Sequence, residues 1–195
     1  GAPPPTLCVL REKLLEQPEE EARDLALALE LFTTGSLDAF AHETNVDTQN
    51  RIVIYDIMDL GRQLKTMGLL IITDAMLNRV TENWRKGKRT HLFIDEFHVV
   101  FQNPYSADFF DSAWRRFRKR GAYPTAITQN VEYLLDSVQA STMLSNSEML
   151  ILLNQAPSDR EKLAALLNIS PEQTSYITNA PAGCGLLRYG GALVP

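Results

Sequence analysis

Between residues 6 and about 32 the apolar positions fall at helical intervals. Leu10 pairs with Leu14, Leu25 with Leu29 and Phe32, and Pro18 is placed to start a second helix. Gly35 and Ser36 interrupt the pattern. A short helical turn over residues 37–41 leads into the polar stretch 43–50, which divides an N-terminal helical segment, residues 1–45, from the remainder, residues 46–195. Beyond it, short apolar runs alternate with helical periods. Strands are predicted over residues 52–57, 91–95, 123–128, 148–153 and 185–189. Helices are predicted over residues 64–86, 106–119, 159–167 and 171–176, with helical turns over 131–143. In the first long helix Leu69, Thr73, Met76, Val80 and Trp84 form one stripe, and Gly87 supplies its stop. In the next, Phe109, Phe110, Ala113, Trp114 and Phe117 face inward, and Gly121 ends it. Strands separated by helices imply right-handed crossovers. The expected class is α/β, with a mainly parallel sheet flanked by helices and an N-terminal helical segment.

Composition supports a packed domain. At 195 residues, 45% hydrophobic and 22% charged, the chain has enough apolar content for a core and does not read as disordered. No apolar run approaches the roughly 20 residues of a bilayer span, and no signal peptide is visible. Cys8 and Cys184 match neither a disulfide framework nor a metal site, which points to a reducing compartment. The opening Gly1, Ala2 and Pro3 to Pro5 read as an expression scar on a segment excised from a longer protein. The net charge of −5 argues against a nucleic-acid coat. The cations are nonetheless clustered, as Arg79, Arg85, Lys86, Lys88 and Arg89 before the strand predicted over residues 91–95 and as Arg115, Arg116, Arg118, Lys119 and Arg120 after it. Solvated helix ends and contact with phosphate are both open readings of these clusters.

The stretch RTHLFIDEF is an apolar strand ending in two acids, Asp95 and Glu96. Side chains alternate along a strand, so only at its carboxyl end do both acids approach one ligand. P-loop NTPases use this Walker B arrangement: one carboxylate, here Asp95, holds Mg²⁺ and the other, here Glu96, polarises the attacking water. A pair of acids capping a following helix is the plainer alternative. Thr128, Gln129 and Asn130 end the next predicted strand, where a glutamine can touch both a γ-phosphate and the water; a strand-to-helix turn capped by Asn130 is the alternative. The basic run late in the intervening helix lies near the sheet edge. From there a subunit in a ring could offer an arginine to its neighbour's nucleotide. His98 reads as a polar turn residue before a sensor, three scattered histidines do not make a zinc site, and Arg160 is expected to pair locally with Asp159 or Glu161. No glycine-rich GxxxxGK loop followed by Ser or Thr occurs in the 195 residues, so the chain carries half of a nucleotide site.

Taken in order, PTLCVL, NRIVIYDIMDLG, GKRTHLFIDEFHVVF, RRFRKRGAYPTAITQNVEYLL, SNSEMLILLNQAPSDREKLA and the terminal GCGLL with VP resemble the C-terminal ATPase domain of the VirB-type energising ATPases of conjugative transfer and type IV secretion, nearest to members encoded by conjugative elements. The resemblance covers nearly the whole chain. It implies a partial RecA-like P-loop NTPase core, ATP and Mg²⁺ as cofactors, and a ring or dimer of subunits. It also implies a cytoplasmic position at the inner face of the membrane, with channel components and DNA as partners. Carried onto this sequence it makes Asp95 and Glu96 the Walker B pair, Gln129 the TQN-type glutamine beside Thr128, and Arg118 and Arg120 part of a basic segment near nucleotide. Asn154 and Gln155 match a further motif. The missing phosphate loop implies little hydrolysis by these residues alone. The alternatives are a DNA-translocating coupling protein or hexameric pump, and a non-catalytic module docking on channel subunits.

Overall fold

The computed structural model describes residues 4–43, 45–129 and 131–195, and divides the chain into two compact units, Gly1–Asp59 and Leu60–Pro195. In the first, helices α1 (Leu7–Leu15) and α2 (Glu20–Thr33) pack together. Glu20 and Glu21 lie in the first turn of α2, where carboxylates complement the helix dipole. Ala22 and Ala26 are buried one turn apart, small enough for close helix contact, and Arg11 crosses to the Ala26 carbonyl (3.2 Å) and to Glu30 (3.5 Å). A 3-10 turn, Asp38–Phe40, follows.

The strand expected over residues 52–57 is not formed. Ile52 and Ile54 are 77% and 85% exposed there. An apolar run holds a strand only where a neighbouring strand accepts its hydrogen bonds, and among the described residues no strand pairs with this segment.

The second unit is built from helix-connected strands. Helix α3 (Arg62–Arg85) leads to β1 (Thr90–Ile94), and α4 (Pro104–Lys119) to β2 (Ala122–Ala126); β1 and β2 are parallel, with Thr90 opposite Ala122 and Ile94 opposite Ala126. Between β1 and α4 lies the 3-10 segment Phe97–Gln102. The side chain of Asn103 caps α4 by accepting from the Tyr105 N–H (2.9 Å), and Pro104 occupies the first helical position, where its missing N–H is harmless. The buried stripe of α3 is Leu64, Gly68, Thr73, Leu77 and Val80; Trp84, placed on that stripe by spacing, lies past its end and is 54% exposed. Leu77 and Val80 meet Phe110, Ala113 and Phe117 of α4, with Phe97, Val100, Leu134, Ala140 and Met143 completing one core. The last two belong to α6 (Val138–Ser145), which follows α5 (Glu132–Asp136).

The remaining strands depart from the mainly parallel sheet expected from sequence. β3 (Met149–Leu152), β4 (Leu186–Tyr189) and β5 (Ala192–Val194) form a separate antiparallel sheet in the order β3-β4-β5. Strand direction is fixed by how the chain returns. After α7 (Pro157–Leu167), α8 (Pro171–Thr174) and a 3-10 turn at Ser175–Ile177, the chain comes back against β3 in the opposite sense, and Gly190 and Gly191 then allow a hairpin to β5, a strand the sequence reading lacked. Leu152, Leu163, Leu167, Ile169, Ile177 and Leu186 form the core beneath this sheet. One face of the β1–β2 ribbon carries exposed His91, Phe93, Tyr123 and Thr125, with Phe93 72% exposed. The architecture is mixed α/β with a small parallel sheet; a complete RecA-like core is not present in these elements.

Candidate functional site

The carboxyl ends of β1 and β2 stay in contact beyond the regular ladder. The Ile127 N–H donates to the Ile94 carbonyl (2.8 Å) and the Phe97 N–H to the Ile127 carbonyl (2.9 Å), so residues 95–97 lie against residues 127–129. Asp95 turns back on the chain, its Oδ1 accepting from the Glu96 N–H at 2.9 Å. Glu96 then adopts the left-handed conformation, φ 47° and ψ 44°, which is disfavoured for a residue with a Cβ. Immediately after it Phe97, 4% exposed, is buried among the rings of Phe101, Phe110 and Trp114 at centroid distances of 5.1, 5.4 and 5.4 Å. The exposed acids therefore stand on a fixed base.

Glu96 is held from two sides. Its Oε2 lies 3.2 Å from His98 Nδ1, and its Oε1 accepts a long hydrogen bond from Gln129 Nε2 at 3.4 Å. His98 Nδ1 also lies 3.2 Å from Thr128 Oγ1. The Glu96 side chain is 47% exposed, whereas that of His98 is 15% exposed. A solvent-facing carboxylate is thus oriented by an imidazole and an amide, an arrangement able to position a water and take its proton, or to bind a hard cation.

Asp95, Glu96, Thr128 and Gln129 are brought together as a group; Asn130 lies outside the described residues. His98 joins them as a residue the sequence reading assigned to a turn. Its spacing from Glu96 gave no signal, because the contact depends on the left-handed turn that folds the acid back toward the ring. Arg118 and Arg120 are elsewhere: they precede β2, at the end of the ribbon where Thr90 begins β1, whereas the acids follow Ile94. Five strand residues span roughly 16 Å, so one chain does not bring these arginines to its own acids. Arg118 is exposed, and Arg120 Nη1 donates to Thr81 Oγ1 of α3. Arg160, expected to pair with a neighbouring acid, instead donates from Nη1 to Thr178 Oγ1 at 2.8 Å. The Asn154 side chain exchanges two hydrogen bonds of 2.7 Å with the backbone of Ala180, and the Gln155 N–H reaches the Ile177 carbonyl (3.0 Å), which ties the residues after β3 to the loop before β4.

An open groove of about 750 Å³ runs along β3 and β4, lined by Ile151, Leu153, Tyr176, Pro181 and Leu187 among others, and includes none of the acidic-site residues. Among the described residues no group of three or more His, Cys, Asp or Glu side chains is arranged to hold a metal alone. The donors that are present, two carboxylates and a threonine hydroxyl, suit a hard cation that takes its other oxygens from water and a phosphate ligand, as Mg²⁺ does.

The fold places this site in a mixed α/β domain with acids at the carboxyl tip of a small parallel sheet. That fold is similar to the one solved for VirB4 of Thermoanaerobacter pseudethanolicus, with a TM-score of 0.79, 24% sequence identity, and coverage of 96% of this chain and 52% of that one. At this identity the likeness is one of fold, and the chain spans about half the length of the structure it matches. No family model matches the chain, and no curated protein matches it. No helix among the described residues is long and apolar enough to cross a membrane.

Proposed function

We propose that this chain is the C-terminal portion of a type IV secretion ATPase of the VirB4 kind, and that the Asp95–Glu96 tip is its Walker B station. The observation that carries the reading is the bracketing of Glu96 by His98 and Gln129 at the end of a parallel strand pair, in a chain whose fold is similar to VirB4. Bound Mg-ATP would supply the electrophilic γ-phosphoryl group. Asp95 is the residue to hold the cation. Glu96 orients the water and accepts its proton, and the contacts from His98 and Gln129 keep that carboxylate from turning away. Gln129, reaching Glu96 from the end of β2, is placed to sense whether the site is filled, with Thr128 fixing the His98 ring. Arg118 and Arg120 can meet nucleotide only across an interface between subunits, as in a ring. The phosphate loop that completes the site is absent from the 195 residues, so these residues alone are expected to hydrolyse little ATP. In the intact assembly the reading places the protein on the cytoplasmic side of the channel, with other channel components as partners.

The test is turnover by the full-length gene product carrying Glu96→Gln, with bound nucleotide measured separately. Loss of kcat by about a hundredfold or more with nucleotide binding retained is expected for removal of the residue that activates the water. Unchanged turnover would remove Glu96 from the mechanism.

A further inference from the structure

One ring nitrogen of His98 faces two oxygens at the same distance. Glu96 Oε2 and Thr128 Oγ1 each lie 3.2 Å from Nδ1. A ring nitrogen has a single in-plane position, filled either by a hydrogen or by a lone pair, so it serves these neighbours in one of two ways. With a hydrogen on Nδ1, the ring donates to the Glu96 carboxylate, which can only accept. With a lone pair there, the ring accepts from the Thr128 hydroxyl, and the lone pair also faces Glu96 Oε2. The neutral imidazole keeps one hydrogen throughout, on Nδ1 in the first arrangement and on Nε2 in the second, by exchange with water.

The frame around this atom is fixed. The Ile127 N–H to Ile94 carbonyl bond and the Phe97 N–H to Ile127 carbonyl bond clamp the two strand ends together. The His98 side chain is only 15% exposed, which leaves water little room to stand in for either oxygen. Gln129 Nε2 meets the other carboxylate oxygen, Oε1, and is untouched by the exchange. Glu96 therefore stays in place while the character of Oε2 changes. A hydrogen bond donated to a carboxylate favours its charged form and makes it a poorer proton acceptor; a facing lone pair does the reverse.

We infer that Thr128 and His98 form a relay that controls how readily Glu96 takes a proton. The inference rests on the reading of Asp95 and Glu96 as the water-activating station and adds its regulation. Thr128 follows β2 beside Gln129, and its hydroxyl oxygen is one of the donors that suit a hard cation. A hydroxyl whose oxygen meets a cation keeps its lone pairs toward the charge and turns its hydrogen away, and His98 Nδ1 is within reach of that hydrogen. Thr128 then holds the imidazole as an acceptor, and Oε2 of Glu96 becomes the stronger base. When Thr128 does not donate, Nδ1–H returns to Glu96 and quenches it. His98 is accordingly a positioning residue: it touches the acid, not the reacting atoms, and ties the basicity of that acid to what Thr128 contacts.

The experiment has two arms. In the 195-residue protein carrying isotope-labelled histidine, two-bond proton–nitrogen correlations report which ring nitrogen holds the hydrogen, at about pH 8.5, where an ordinary imidazole is neutral. The chain has three histidines, His42, His91 and His98, and His98→Asn identifies the signal. Thr128→Val, or Thr128→Ala should the first not fold, removes the hydroxyl and should move His98 toward the Nδ1–H tautomer. Glu96→Ala removes the acceptor and should move it toward Nε2–H, whereas Thr128→Ser should keep the parent pattern. Circular dichroism establishes that each variant is folded. The same tautomer in all of them, or shifts in one direction only, would overturn the relay. In the full-length gene product Thr128→Val should lower kcat about tenfold or more, and Thr128→Ser should restore it. His98→Leu placed on Thr128→Val should raise kcat again by roughly threefold or more, because the ring that quenches Glu96 is gone. A further loss in the double variant would overturn the relay. A full-length parent without turnover would overturn the ATPase reading on which the relay's role depends, whereas an unmoved tautomer beside an active parent would overturn the relay alone.

Discussion

Replacing Phe97 by alanine removes the ring on which the acidic tip rests. Phe97 is 4% exposed and meets Phe101, Phe110 and Trp114, two of them edge-on at 79° and 71°. Truncating so buried a ring costs about 3–5 kcal/mol from lost transfer energy and the cavity left behind, and edge-to-face partners place the value toward the upper half of that range. The neighbouring Phe93 is an internal control: 72% exposed on the other face of β1, its truncation should fall within about 0.5 kcal/mol of zero. Urea unfolding followed by tryptophan fluorescence reads both variants, because Trp84 and Trp114 lie in the Leu60–Pro195 unit and Trp114 packs on Phe97 itself. With a denaturant slope of about 2 kcal/mol per molar, Phe97→Ala should lower the midpoint by roughly 1.5–2.5 M. A shift below about 0.5 M, or an equal shift for Phe93→Ala, would show that the tip is not anchored through this ring.

Gly185→Ala should destabilise by about 3 kcal/mol, read in the same urea titration, because a Cβ at this position would stand 2.2 Å from the Leu152 carbonyl oxygen and force β3 and β4 apart. Ser170→Ala removes the capping box of α8, where Ser170 accepts from the Gln173 N–H (3.3 Å) and Gln173 Oε1 accepts from the Ser170 N–H (3.0 Å), and should cost about 1 kcal/mol. The same hydroxyl donates to Glu172 (2.8 Å) and holds its carboxyl below the ordinary glutamate value of 4.5. A depressed carboxyl stabilises the fold above its unfolded pKa and loses that contribution as pH falls through the folded value. In Ser170→Ala the Glu172 titration, followed by NMR, should therefore move up toward 4.5, and an unmoved midpoint would refute the assignment.

The long helices were legible because their signals are local: apolar residues one turn apart mark α3 and α4, and both are followed by glycines at positive φ, Gly87 and Gly121. Residues 52–57 carried an equally clean apolar run and formed no strand, since a strand exists only with a partner that no local window reveals. The antiparallel β3-β4-β5 sheet was misread for a related reason: the lengths of α7 and α8 say that the chain returns, but not in which direction it pairs. Of the site, the two acids and the Thr128–Gln129 tip could be found from their position at strand ends. His98 could not, because its contact requires a backbone turn that glutamate residues seldom make.

That turn has its own consequence. Glycine or asparagine would hold the same left-handed corner with less steric conflict, whereas a side chain such as glutamate raises its energy by about 1–2 kcal/mol. Position 96 is thus a place where the molecule forgoes an easier backbone in order to keep a carboxylate, and the corner is the reason that carboxylate projects between an imidazole and an amide instead of trailing along the strand.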